Sequence, residues 1–257
     1  MIAAIATGGA RTGFFRDIAR LGLMLAIGSL LMLAAGRTGW RAGWWSYQIA
    51  FTRLMPCAFY GGLAAMAVSA LGLIAGFGRI ARREFVAAGF GLILGGVAAY
   101  FPWHASEARG VFPPMHDITT DTADPPSFDF VAEMRAAEHG APIAYPGQST
   151  AAMQQKFYPG IDPAVLNMPP AQAFERVLAV VKAKGWTIVK SDPTAGIIDA
   201  YDRSFWFGFT DDVAIRVTPA ASGSRVDIRS GSRQGRGDFG VNAARVRGFL
   251  AALTGKP

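Results

Sequence analysis

The sequence predicts membrane helices plus α+β: three transmembrane helices, followed by a two-layer soluble domain with an antiparallel sheet and two helices. Two observations carry this prediction. Three long apolar runs precede residue 104, whereas helix-period and strand-period patterns follow it. The charge changes at the same place, because residues 1–103 contain nine Lys or Arg and two acids, and residues 104–257 contain sixteen of each. The net charge of +7 therefore belongs to the apolar part and indicates a membrane, not nucleic acid.

Residues 1–103 form the predicted three-helix anchor, with spans at about residues 18–36, 55–77 and 85–103. A helix of about 20 apolar residues crosses a bilayer, and continuous apolar runs in lipid must be helical. No acidic or basic side chain lies deep within a run, so the pattern favours an anchor over a transporter. Aromatic residues flank the runs, where they would lie among lipid headgroups; they are Trp40, Trp44, Trp45, Tyr47, Tyr100 and Trp103.

Glycines four residues apart, Gly72 with Gly76 and Gly91 with Gly95, would let helix backbones approach closely. They favour pairing of the second and third spans, or of two copies of the chain. The alternative is that small residues are simply abundant in these runs.

The orientation follows from basic residues in the short flanking segments. With a cytoplasmic N-terminus, six lie inside: Arg11, Arg16, Arg20, Arg79, Arg82 and Arg83. Three basic residues lie outside, Arg37, Arg41 and Arg53, and Arg109 lies near them on the same side. We therefore expect a multi-pass protein of the inner cell membrane whose C-terminal domain is periplasmic or extracellular. The alternative for the first run is a cleaved signal peptide, because basic residues precede an apolar stretch that ends LMLAAG.

The soluble part divides into a strap, residues 104–168, and an α+β core, residues 169–257. The strap is rich in Pro, Asp and Thr, which favour extended chain and turns. The core should begin with a helix from Pro170 to Lys184 and end with a helix from about Asp238, its N-cap, to Thr254. Between them lie five strand-like segments, WTIVKSD, GIIDAYD, SFWFGF, DVAIRVT and RVDIRS.

Alternation in the last two strand-like segments predicts one apolar sheet face and one charged face. Asp211 and Asp212 are neighbours, so on a strand they would point to opposite faces. The aromatic segment around Phe205 and Trp206 is predicted to pack in the core, with an apolar groove as the alternative.

Six segments after residue 112 follow one another in a characteristic order: DITTDTADPPSF, AYPG, KFYPGIDP, GWTIV, FWFGFTDDVAIRV and RVDIRSGSRQGRGDFGVNAARVRGFL. Together they resemble the uncharacterised DUF1499 family, here in a membrane-anchored form. The resemblance covers about residues 113–253, the strap and core together, and implies no particular activity. The order helix, meander, helix is also similar to helix-grip domains of bacterial outer-membrane assembly lipoproteins, by topology alone.

The segment from Arg229 to Arg245 is the main candidate site. Its GxGxxG spacing lies between a strand and a helix, but a dinucleotide fold needs a further parallel strand, and the chain ends after one helix. A glycine loop at a helix start together with arginines suits an anion or a partner. The candidates are Arg229, Ser230, Ser232, Arg233, Gly235, Arg236, Gly237 and Asn242. The alternative is that Asp238 caps the helix and internal carboxylates pair the arginines.

A second candidate site in the strap consists of His116, Asp117, Asp121 and Asp124. His116 with these carboxylates would serve an envelope hydrolase, and the three carboxylates alone would suit a hard cation such as calcium, although turns explain the same composition. With three histidines and one cysteine, the sequence predicts no transition-metal site and no cofactor.

The function predicted from the sequence is a membrane-anchored protein that presents a ligand- or partner-binding domain outside the cytoplasm. The expected partners are the lipid bilayer and a small anion or an envelope protein, and an enzymatic role is less expected. The alternatives are the envelope hydrolase based on His116 and a structural subunit of a membrane complex; the oligomeric state is left open.

Overall fold

A computed structural model describes residues 2–78, 80–138 and 140–255. Arg79, which enters the orientation count, and the last two residues of the predicted core lie outside the described residues. The chain forms two compact units, Met1–Ala108 and Arg109–Pro257.

The first unit is helical. It contains α1 (Ile2–Arg41), α2 (Tyr47–Ile49), a π-helical turn (Ala50–Leu54), α3 (Met55–Gly76) and the first part of α4 (Arg82–Val111). Three segments are long and apolar enough to cross a membrane: Gly13–Arg41, Tyr47–Gly76 and Arg82–Ala108. The predicted three membrane helices are therefore confirmed; each helical segment begins before its apolar run, and the first and third also end after theirs.

Small residues set how closely these helices pack. A Cβ atom on Gly62 of α3 would lie 2.6 Å from the carbonyl oxygen of Gly95 on α4. One on Gly72 would lie 3.3 Å from the Cα atom of Ala19 on α1. Gly95 thus joins the second and third spans as expected, whereas Gly72 joins the second span to the first.

Glu84 links the beginning of α4 to α1. Its side chain is buried and accepts hydrogen bonds from Arg83 at 2.7 Å and from Arg20 at 3.4 Å. Since Arg20 and Glu84 both lie near the first ends of their spans, α1 and α4 run in the same direction. The Gly72–Ala19 approach joins the end of α3 to the start of α1, so α3 runs the opposite way.

The second unit is an antiparallel sheet with helices, which confirms the predicted α+β class. Its helices after α4 are α5 (Ala132–Ala137), α6 (Gln148–Phe157), α7 (Pro170–Ala183) and α8 (Val241–Thr254). Its strands are β1 (Asp117–Thr119), β2 (Ala164–Leu166), β3 (Thr187–Asp192), β4 (Ile197–Arg203), β5 (Thr210–Ala220) and β6 (Gly223–Ser232). The strand order is β1-β6-β5-β4-β3, and β2 pairs with the first part of β6.

One face of the sheet packs against α7 and α8. Val213, Ile215 and Val226 belong to this apolar core, as the alternation predicts. The core includes Phe174 of α7 and Phe249 of α8, which are fully buried or nearly so. The other face carries the charged residues of β5 and β6, and strap side chains cover it there, so it is buried too.

Helix ends follow the expected chemistry with one shift. Gly185, the residue after the C-cap Lys184 of α7, adopts φ +74°, a conformation that ends helices and favours glycine. The helix α8 begins at Val241, three residues after the predicted start at Asp238. Asp238 still acts as its cap, because its carboxylate accepts the backbone N–H groups of Gly240 at 2.9 Å and Asn242 at 2.7 Å.

Two expectations about local structure are wrong. The strap contains α5 and α6 as well as the short strands β1 and β2, so it is not extended throughout. The aromatic segment SFWFGF is a turn between β4 and β5, where 86% of Phe205 and 52% of Trp206 are exposed. Aromatic residues favour strands, but here the chain turns, because Gly208 adopts φ +72°.

Candidate functional site

The predicted donor residues separate into three places in the structure. Side chains alternate along β6, so Arg229 points to the strap-covered face whereas Ser230 and Ser232 point towards α8. Arg236 and Gly237 are exposed in the loop between β6 and α8. The eight residues therefore do not converge on one cavity.

Arg229 is fully paired within the protein. Its Nε and Nη2 atoms donate to the two carboxylate oxygens of Asp117 at 3.0 and 2.7 Å. Its other donors reach the carbonyl oxygens of Pro126 and Ile143, and the guanidinium lies 4.2 Å from the ring centroid of Phe128. A bidentate pair of this kind is a strong charge-assisted contact, and only 2% of Arg229 is exposed.

Arg233 follows the end of β6 and binds Asp212 of β5. Three contacts join the guanidinium to that carboxylate, the shortest at 2.6 Å, and Nη1 donates to Glu138 at 2.8 Å. Burial opposes the charge of Arg233, but the hydrogen bonds and attraction from Asp212 raise its pKa. Asp212 also lies 3.5 Å from Arg135 of α5, so one buried carboxylate serves two guanidinium groups.

Arg135 is less completely satisfied. Its Nη2 atom donates to the carbonyl oxygen of Ser232 at 2.6 Å, but its Nε and Nη1 atoms are buried without a hydrogen bond among the described residues. Burial lowers its pKa, and attraction to Asp212 and Asp117 offsets only part of that change. The sequence around Arg135 gives no indication that this arginine belongs to a charged cluster.

The strap carboxylates hold the strap against the sheet. Asp121 accepts from Arg225 at 2.6 Å, and Asp124 accepts from Arg216 at 2.9 Å. With the Asp117–Arg229 pair they form three successive ionic contacts between the strap and the last two strands.

The hydrolase alternative needed His116 beside these carboxylates. None of the three hydrogen-bonds to His116 within the described residues, and each is bound to an arginine instead. The carbonyl oxygen of His116 accepts from Ser232 and Asn242, and its Nδ1 atom is buried without a partner in the described part of the chain.

A second buried polar cluster lies between β6 and α8. Asn242 accepts a hydrogen bond from Ser230 at 2.7 Å and donates one to Ser232 at 2.9 Å. Arg245, one turn further along α8, donates to Ser230 at 3.1 Å and to Asp211 at 2.7 Å. Asp211 and Asp212 thus bind arginines on opposite faces, as expected of neighbours on a strand.

The loop from Gly235 to Gly240 is the exposed remainder of the predicted site. Arg236 is exposed and forms no ion pair with the described residues. Phe239 adopts φ +56°, and it is the only non-glycine residue with positive φ in the described ranges. A residue held in this region is strained and persists where the surrounding structure fixes it, a condition found often at functional sites. Here the Asp238 cap fixes the backbone on both sides of Phe239.

No group of three metal-ligating side chains lies together in the part of the chain that the structure describes. The sequence did not suggest Arg135 or Arg245 as members of the buried clusters, nor Asp202, which accepts a hydrogen bond from Arg245 at 3.0 Å. Arg245 had a signal, because it lies three residues after Asn242 and therefore on the same side of the helix.

Comparison with known proteins gives a family but no activity. No curated protein matches the chain. Among solved structures, the crystal structure of protein CV1439 from Chromobacterium violaceum matches with 15% sequence identity over 37% of this chain and 96% of that chain, at a TM-score of 0.22. That score supports no conclusion about fold. The family DUF1499, described as a protein of unknown function, matches residues 117–253. Since this match covers more than half of the chain, the protein belongs to the DUF1499 family.

Proposed function

We propose that the protein is a membrane-anchored binding protein whose α+β domain presents the Gly235–Gly240 loop to an anionic partner outside the cytoplasm. The observation that carries the proposal is the exposed Arg236, which lacks an ion pair within the described residues and lies in the same loop as the strained Phe239. Arg229, Arg233 and Arg245 are all paired internally, so Arg236 is the candidate arginine with a charge to offer a partner.

The helix start itself does not offer a vacant anion site. Its first N–H groups are taken by the Asp238 carboxylate, which serves as a built-in anion. An acidic side chain of an envelope protein therefore fits the loop better than a small anion buried among the backbone groups. Such a partner would contact Arg236 at the surface and pack against Phe239, which is 37% exposed.

Two arguments support a location outside the cytoplasm. An odd number of candidate spans that alternate in direction favours an anchor whose two ends lie on opposite sides of a membrane. The count of basic residues favours a cytoplasmic N-terminus, with six inside against three and Arg109 outside. A reporter that is active only outside the cytoplasm, fused after Pro257, should be active, and activity of a cytoplasm-only reporter would contradict this orientation.

Binding is tested by placing a photo-crosslinking amino acid at position 236 in cells. The matched control is position 176 on α7, another exposed arginine without an ion pair among the described residues. We expect a discrete protein adduct at 236 and none at 176. With the crosslinker at 237, an Arg236→Glu substitution should abolish the adduct, because like charges repel. Equal adducts at 236 and 176, or an adduct indifferent to Arg236→Glu, would refute the assignment.

A further inference from the structure

The turn between β4 and β5, Ser204–Phe209, holds aromatic side chains in solvent. Four of its six residues are aromatic and none is charged. Phe205 is 86% exposed and Trp206 is 52% exposed. Each Å² of apolar surface left in water forgoes about 25 cal/mol, so folding of the domain gives no reason for this exposure.

Hydrogen bonds hold the turn in shape. The Ser204 hydroxyl accepts the N–H of Phe209 at 2.9 Å, and the N–H of Ser204 donates to the carbonyl oxygen of Phe209 at 2.8 Å. The N–H of Gly208 donates to the carbonyl oxygen of Ser204 at 2.9 Å. Phe207 and Phe209 stack with centroids 5.5 Å apart at the base of the turn. Phe205 and Trp206 therefore lie on a turn whose backbone conformation is fixed by hydrogen bonds.

The same chain that carries this turn also carries three candidate membrane spans, so a bilayer is an apolar phase available to it. The third span ends at Ala108, and β1 begins at Asp117, so the domain is tethered to the membrane by a short segment. A short tether keeps the second binding partner at a high effective concentration. We propose that the Ser204–Phe209 turn inserts Phe205 and Trp206 into the interfacial region of this membrane.

The chemistry of the turn fits an interface better than a hydrocarbon core. Tryptophan prefers the headgroup level, where its ring is apolar and its N–H remains wet. Arg203 directly precedes the turn, its side chain is half exposed, and it shares Glu138 with Arg233. A guanidinium next to an aromatic tip suits lipid phosphates above the inserted rings. This contact requires neither Arg236 nor a protein partner, so it is independent of the proposed function.

The test uses the full-length protein in liposomes. Cys57, the one cysteine of the chain, is exchanged for alanine, and an environment-sensitive fluorophore is attached through Phe205→Cys. The control carries the same fluorophore through Val165→Cys, another exposed apolar position, 58% accessible. Val165 pairs with Arg225, seven residues along β6 from Ser232 near the turn, which is about 23 Å at the usual strand rise.

We expect the probe at position 205 to shift its emission to shorter wavelength, to be quenched by brominated lipid and to lose quenching by aqueous iodide. The probe at position 165 should show none of these changes. Adding Trp206→Ser should reduce the lipid quenching at position 205. A probe at 205 that behaves like the one at 165 would overturn the proposal. A wavelength shift that depends on the ratio of protein to lipid, without lipid quenching, would also overturn it and would indicate contact between two copies.

Discussion

Asp199 on β4 is a buried carboxylate, and its replacement by asparagine should stabilise the domain above pH 6. One oxygen accepts the N–H of Phe130 at 3.0 Å, while the other has no partner among the described residues. Burial raises the pKa of Asp199 to about 6 from an ordinary 3.8; the Phe130 hydrogen bond opposes this rise, and repulsion from Asp129 and Asp212 adds to it.

The size and sign of the effect follow from this pKa. The difference between a pKa of 3.8 in the unfolded chain and about 6 in the folded one corresponds to about 3 kcal/mol. The wild-type protein loses this much unfolding free energy as the pH rises from 3.8 to about 6, because the buried carboxyl must then carry a charge. Asparagine has nearly the shape of the protonated acid and carries no charge at any pH. Asp199→Asn should therefore be more stable by about 3 kcal/mol at pH 7.5, and the difference should vanish as the pH falls towards 3.8.

Amide hydrogen exchange of the full-length protein in detergent measures this difference on β4 and β5. We expect exchange of the slowest amides to be about 100-fold slower in Asp199→Asn than in wild type at pH 7.5, since each 1.36 kcal/mol is tenfold. Both proteins are compared at the same pH, which removes the pH dependence of intrinsic exchange. A variant that exchanges faster at pH 7.5, or a difference that persists unchanged at pH 4, would refute the reasoning.

Other predictions concern charge, strain and helix packing. Asp212→Asn should lower the free energy of unfolding, measured with denaturant, by about 3 to 5 kcal/mol because it removes the buried partner of two arginines. Asp124→Asn, at a carboxylate whose side chain is 80% exposed, should lower it by less than about 1 kcal/mol. Equal losses in the two variants would contradict the importance of the buried cluster. Phe239→Gly should leave the melting temperature unchanged or raise it, because glycine relieves the left-handed backbone at about 1 kcal/mol, and a clear fall would show that no strain is stored there. Gly62→Val should speed hydrogen exchange in α3 and α4, because its Cβ atom would meet the Gly95 carbonyl oxygen. Gly89→Val should not, because a Cβ atom at Gly89 would have no neighbouring atom within 4 Å. Similar effects of the two substitutions would argue against this helix contact.

Local patterns in the sequence predicted those parts of the fold that depend on local chemistry. Apolar length predicted three spans, and alternation around Val213 and Ile228 predicted the core face of the sheet. The capping role of Asp238 also follows from its place before a helix. In each case the deciding pattern lies within one contiguous segment of the sequence.

The candidate site was harder to predict because its contacts are long-range. Arg229 meets Asp117, which lies 112 residues earlier, and no local pattern indicates that pairing. The strap carboxylates form an acid cluster in sequence, but in the structure each is bound by an arginine of the sheet, and Asp121 and Asp124 share Arg216. At Phe205 the local pattern itself was misleading: its aromatic side chain favours a strand, but the backbone conformation of Gly208 makes this segment a turn.

The pairing of strap carboxylates with arginines of the last strands has a consequence for synthesis. Asp117, Asp121 and Asp124 leave the ribosome about a hundred residues before Arg229, Arg225 and Arg216 become available to them. Both β1 and β2 likewise need β6 as their partner strand. The strap therefore stays open until nearly the whole chain has been made. Chains that stop before β6 would therefore carry the three helices of the first unit but no folded domain.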